Sequence, residues 1–124
     1  MEFERPSFRG RAPIDAYGDG GFTVGGARRK GSLLLLQDDI APWPTEALSA
    51  ADEASLQPLL DEADRYDFVL LGCGATIAPP PAALRALLKS AGLGVEFMDT
   101  GAACRVYNVL LTEQRRFAGA FIAV

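Results

Sequence analysis

Two stripes of apolar residues at helical spacing lie on either side of an uninterrupted apolar run. The stripes are Leu56, Leu59, Leu60, Ala63 and Leu84, Leu87, Leu88, Ala91, and the run follows Asp67 within the strand expected over residues 67–72. That alternation constrains the fold more than any other feature of the chain. Positions i, i+3, i+4 and i+7 share one face of a helix, whereas a short apolar run with no polar break suits a strand covered on both faces. The pattern continues with a strand over 95–98, a third helix capped by Thr100 and reaching about Gln114, and a closing strand over 117–124. Strands joined by helical crossovers lie parallel, with right-handed connections. The spacing therefore predicts a layered α/β domain whose C-terminal two-thirds is a helix followed by β-α-β-α-β, in a mixed or largely parallel sheet. Local signals agree. Ser49 with Asp52, and Asp52 with Ser55, resemble capping boxes. Pro79, Pro80 and Pro81 suit a helix start, where a missing N–H costs nothing, and Gly92 suits the position just past a helix end.

The first third reads as glycine-punctuated β structure. Strands are expected over 14–17 and 21–24 around Gly18-Asp19-Gly20, with a second turn at Gly25-Gly26. Residues 32–36 predict a buried strand, and 38–44 a loop carrying Trp43, the only tryptophan. These N-terminal strands either join the main sheet or form a smaller one. We expect one domain over 1–124, with 1–13 as a flexible arm.

Composition narrows the function classes. A chain of 124 residues buries roughly two-thirds of its unfolded surface, and 49% hydrophobic residues give it a core without staples. No apolar run approaches the roughly 20 residues of a membrane span, and the acidic start, with Glu2 and Glu4, does not read as a leader. With no histidine, the commonest general base and the commonest zinc ligand are both missing. Cys73 and Cys104 suggest reduced cytoplasmic thiols, not a disulfide framework. The net charge of −4 is segregated: residues 37–67 carry nine acidic side chains against Arg65 alone. Arg5, Arg9, Arg11 and the run Arg28, Arg29, Lys30 could form a small basic face, but the acidic middle argues against a nucleic-acid partner.

In open α/β sheets ligands bind beyond the carboxyl ends of the strands. Two such ends are marked here, Gly72-Cys73-Gly74 and Met98-Asp99-Thr100-Gly101. If the two strands are neighbours, both turns face one crevice. Arg105 and Asn108 follow on one face of the third helix, and Arg105 calls for either Asp99 or an anionic ligand or partner carboxylate. Plainer readings stand beside these: Asp99 and Thr100 as helix caps, Arg105 as a structural ion pair, Tyr107 as core with its hydroxyl on backbone. A reactive thiol at Cys73 would lack a histidine to activate it. The Gly72-x-Gly74 pair is no dinucleotide fingerprint, since Ile77 stands where a third glycine belongs.

Three segments together, Ala16-Tyr17-Gly18-Asp19-Gly20-Gly21-Phe22, Gly72-Cys73-Gly74 and the run from Met98 through Asp99, Thr100, Cys104, Arg105 and Tyr107 to Asn108, resemble the Mth938-like family of unknown function. The resemblance runs from about Ile14 to Val124 and departs at Cys73 and Val106, where the family often has threonine. It implies a compact layered α/β domain with no established enzymatic activity. Eukaryotic members of the family act as partners in assembling respiratory complex I, and this chain looks like a free-standing bacterial version. The leading expectation is a cytoplasmic, non-enzymatic protein-binding domain, without metal or cofactor. Its surface would be a crevice of Gly72, Cys73, Gly74, Asp99, Thr100, Arg105 and Asn108. The alternatives are a small-molecule or anion-binding domain using the same crevice, and a structural or oligomerising domain in which these residues only hold turns.

Overall fold

The computed structural model describes residues 11–124. In chain order the strands are β1 (Ile14–Gly18), β2 (Gly21–Val24), β3 (Ala27–Lys30), β4 (Leu33–Leu35), β5 (Ile40–Pro42), β6 (Phe68–Gly72), β7 (Gly94–Met98) and β8 (Phe117–Phe121). The α-helices are α1 (Gln57–Leu60), α2 (Ala82–Ser90) and α3 (Thr100–Leu111). Strands β1, β2 and β3 form a small antiparallel sheet of their own, and the other five make a sheet of order β5-β4-β8-β6-β7. That sheet is mixed: β6 runs parallel to β7 and β8, while β4 runs antiparallel to β5 and β8.

Strand side chains alternate between faces, so the apolar runs supply two cores. Leu33, Leu35, Phe68, Leu70, Phe117 and Phe121 turn toward α3 and the small sheet, meeting Ile14, Phe22, Val24, Cys104 and Tyr107. Leu34, Val69, Leu71, Ala118 and Ala120 turn the other way, toward Leu84 and Leu88 of α2 and toward Trp43, Leu48, Leu56 and Leu59. Fully burying one such side chain contributes about 1.5–3 kcal/mol, which explains why β4, β6 and β8 carry no polar residue. Trp43 is a core plug, 2% exposed, and its indole N–H donates to Ser55 Oγ at 3.1 Å.

Several expectations need correction. The stretch after Ser49 is not one helix: it breaks into 3-10 turns at Leu48–Ala50, Ala54–Leu56 and Ala63–Arg65 around the single turn of α1. Pro58 sits at the start of α1 and removes a donor, and Ser55 and Asp52 bond each other's backbone N–H groups instead of extending a helix. Leu56 and Leu59 are nevertheless fully buried, so the stripe was real and the helix was not. The 38–44 loop contains β5, and the exposed segment after Gly26 is β3. Asp99, not Thr100, is the N-cap of α3, which ends at Leu111. Of the expected arm, residues 1–10 lie outside the described residues. Arg11, also expected on a basic face, is buried at 5% exposure.

Candidate functional site

Because β6 and β7 are parallel neighbours, with Gly72 opposite Met98, the two marked strand ends do meet. What joins them is Thr100. Its N–H donates to the Gly74 carbonyl at 2.8 Å. Its hydroxyl accepts from the Gly74 N–H at 2.9 Å and donates to the Ile122 carbonyl at 2.7 Å. Around it the Cys73 N–H donates to the Met98 carbonyl at 2.8 Å, and the Ile122 N–H to the Gly72 carbonyl at 3.0 Å. One buried side chain thus links the carboxyl ends of β6 and β8 to the start of α3. Glycine at position 72 suits this close packing: a methyl group there would lie 3.0 Å from Thr100 Oγ1 and 3.3 Å from Phe121, so these neighbours would have to give way by a few tenths of an ångström.

Gly72, Gly74 and Thr100 therefore come together, but the space between them is filled, and Thr100 is 0% exposed. The Cys73 thiol, half-buried, donates to the Ala78 carbonyl at 3.2 Å. Asp99 accepts the Ala102 N–H at 2.8 Å as a helix cap. Burial pushes the Cys104 thiol up to about 12, with Arg105 opposing the shift and Asp99 adding to it.

Arg105 and Asn108 sit elsewhere, where α3 meets the small sheet. The hairpin turn Asp19-Gly20 has φ of 53° and 76°, a left-handed pair that suits aspartate and glycine and reverses the chain between β1 and β2. It leaves the outer edge of β1 against α3. There the Asn108 amide takes the place of a neighbouring strand, accepting the Ile14 N–H at 2.8 Å and donating to the Ile14 carbonyl at 2.9 Å. Farther along the edge, the Tyr17 phenol lies over Gly101, close enough that a Cβ there would be 2.5 Å from its oxygen. Between β1 and α3 a groove of about 380 Å³ is lined by Asp15, Ala16, Tyr17, Arg105 and Asn108. Arg105 is exposed and forms no ion pair with Asp99 among the described residues. Tyr17 at 43% and Val109 at 57% exposure extend the surface.

Sequence reasoning assigned no site role to Arg11. Its Nη2 donates to the Phe117 carbonyl at 2.5 Å and to Gln37 Oε1 at 3.1 Å, and its guanidinium lies 4.7 Å from the Phe117 ring centroid. No spacing rule marks an isolated arginine ahead of a first strand, so nothing in the sequence distinguishes it from Arg5 or Arg9. Tyr107 is core as expected, 2% exposed, but its hydroxyl has no backbone partner among the described residues. A larger cleft of about 760 Å³ opens beside Trp43, Thr45 and Glu46. Among the described residues no group of three or more Asp, Glu or Cys side chains is placed to hold a metal ion. Among the described residues no helix is long and apolar enough to cross a membrane.

Residues 14–122 match the model of a protein family of unknown function (DUF498/DUF598). An uncharacterised protein of Rhodobacter capsulatus is 40% identical over 122 residues, covering 98% of this chain and 93% of that protein. NADH dehydrogenase [ubiquinone] 1 alpha subcomplex assembly factor 3 of Bos taurus is 33% identical over 110 residues, 88% of this chain but only 59% of the bovine protein. Among solved structures, one described as an outer membrane protein from Bartonella henselae superposes with a TM-score of 0.84 at 37% identity, covering 94% of this chain and 98% of that one. A Mth938-like domain from Bordetella pertussis gives a TM-score of 0.75 at 27% identity, covering 99% of this chain and 92% of that one.

Proposed function

This chain belongs to the DUF498/DUF598 family of Mth938-like domains, and from that membership we propose that it is a cytoplasmic, non-enzymatic binding domain that assists assembly of a multisubunit respiratory complex, complex I or a relative of it. Residues 1–124 act as one domain in this reading. The observation that carries it is the 33% identity to a complex I assembly factor across 88% of the chain. The bovine protein is longer, so the role transferred is that of the shared domain.

The recognition surface is the groove between β1 and α3. Arg105 brings a charge with no partner among the described residues, and Tyr17 and Val109 bring exposed apolar area beside it. An arginine flanked by an aromatic ring is the composition of an interface anchor, and its charge selects a partner carboxylate. The other expected residues support this surface from below: Thr100 and the two glycines fix where α3 begins, and Asn108 fixes β1 against it.

The test is affinity capture from native cells with wild type beside Arg105→Ala. The exposed side chain should be removable with a stability change within about 0.5 kcal/mol, checked by thermal melt. Wild type should recover subunits of a respiratory complex, and the folded variant should lose them. Recovery of the same subunits by both proteins would remove Arg105 from the interface. Recovery of no respiratory subunit by wild type would remove the assembly role.

A further inference from the structure

Arg11 carries its charge inside the protein with no carboxylate paired to it among the described residues. It is 5% exposed and forms no ion pair with a described residue. Nη2 is satisfied by the Phe117 carbonyl and Gln37. The rings of Phe117 and Tyr66, with centroids 4.7 and 5.9 Å away, replace part of the lost hydration by cation–π attraction. Rings accept no conventional N–H bond here, and Nε and Nη1 make no hydrogen bond of normal geometry, although the Tyr107 phenol lies beside the guanidinium and feels its charge. Buried arginine N–H groups are almost always bonded, so two orphaned nitrogens on one guanidinium need a reason.

The same side chain lines a cleft of about 330 Å³ between the β2–β3 turn and the β4–β5 loop, together with Arg29, Gln37 and Tyr107. That volume is at the lower end of small-molecule sites. Two carboxylates also face it, but neither is free. Asp38 pairs with Arg65 at 2.9 Å, and Asp39 accepts the Ile40 N–H at 2.8 Å. Among the residues that line the cleft, two guanidinium groups stand against two carboxylates, and one of those carboxylates is already paired with Arg65. Burial raises the Tyr107 phenol above its ordinary value against the opposing pull of the Arg11 guanidinium beside it, and the phenol keeps its proton at neutral pH.

We propose that this cleft is an oxyanion-binding site, with Arg11 as its buried cation and Arg29 and Tyr107 as further donors, for a small phosphate- or carboxylate-bearing molecule. Nε and Nη1 are closed off from solvent, so an oxyanion reaches them only as the side chains over the guanidinium shift, and it then forms charge-assisted bonds, about twice as strong as neutral ones. The site shares no lining residue with the Arg105 groove. It stands or falls independently of the assembly role.

Thermal melts at constant ionic strength test it, with sodium chloride replaced stepwise by sodium phosphate in one arm and sodium acetate in the other. Wild type should show a saturable rise in melting temperature in at least one arm, and that arm identifies the ligand chemistry. In Arg11→Met the apparent affinity should fall about tenfold or more. Should Arg11→Met fail to fold, the Arg11 Nε–H resonance of wild type is followed by NMR through the phosphate and acetate titrations, and a saturable shift in either carries the same information. Equal melts in chloride, phosphate and acetate with an unmoved Nε–H resonance would overturn the proposal, leaving a buried water as the partner of these N–H groups. So would a folded Arg11→Met that responds as strongly as wild type.

Discussion

At the scale of single residues, Thr100 ties the carboxyl ends of β6 and β8 to the start of α3. A hydroxyl can donate one hydrogen bond while accepting another, and Thr100 uses both capacities on backbone groups 26 and 22 residues away. Thr100→Val keeps the shape and removes both bonds, leaving the buried Gly74 N–H and Ile122 carbonyl without this partner. It should lower the free energy of unfolding by about 3 kcal/mol in urea titrations, whereas Thr100→Ser should cost only about 1 kcal/mol for the missing methyl group. The importance of this position was legible in the Met98-Asp99-Thr100 run, but its role was not. Helix-cap logic is local: it offered both Asp99 and Thr100 as caps, and only Asp99 serves as one. The hydroxyl's real partners become neighbours only after β6 and β8 pair. Arg11 was illegible for the same reason, since its aromatic and carbonyl contacts lie on Phe117, far along the chain.

Among the elements, the joint between α3 and the small sheet rests on the Asn108 amide, which treats Ile14 as a strand neighbour would. Asn108→Leu removes both bonds, and leucine cannot supply either. The small sheet should then open more often than the main sheet. Amide exchange at β1 and β2 should quicken about tenfold, equivalent to about 1.4 kcal/mol, with β6 and β8 unchanged. Uniform quickening across both sheets would show that they unfold as one unit. Periodicity located α2 and α3 well because each has a buried face long enough to repeat. β6 stood out as an unbroken buried run, and β7, only half-buried, was placed by the turn and helix start that flank it. Periodicity failed where the repeat is too short or has no buried face. All four residues of β3 are exposed, so Ala27-Arg28-Arg29-Lys30 looks like loop. β5 is three residues ending in proline. In the 49–63 stretch the leucines kept helical spacing because the turns present them to the same core, while Pro58, Asp52 and Ser55 took the backbone out of helix.

For the whole molecule, two cores back to back on one mixed sheet account for most of the burial, and they also set the response to alkali. Cys104 lies in one core and Tyr66 in the other. Burial raises the thiol from 9.0 to about 12. It raises the phenol from 10.0 to about 12, with Glu62 adding to the shift. Both groups are neutral when protonated, so the folded state holds its protons to higher pH than the unfolded chain does. The stability they contribute is complete below pH 9 and declines as pH climbs toward about 12. Thermal melts across this range should show the midpoint falling first above pH 9, and Cys104→Ala should lack that first part of the decline. The α/β class and its mixed sheet could be read in advance because alternating helix and strand periods admit few architectures. Strand order could not, because pairing depends on which apolar faces find each other in space. That order has a consequence for how the protein is made. β8 comes last of the strands but lies in the middle of the five-stranded sheet. While the chain is still being translated, β4–β5 and β6–β7 are two ribbons with nothing between them, each showing an unpaired apolar edge. Until β8 takes its place, both edges are open to pairing with other chains, a hazard of the order of folding and not of the finished fold.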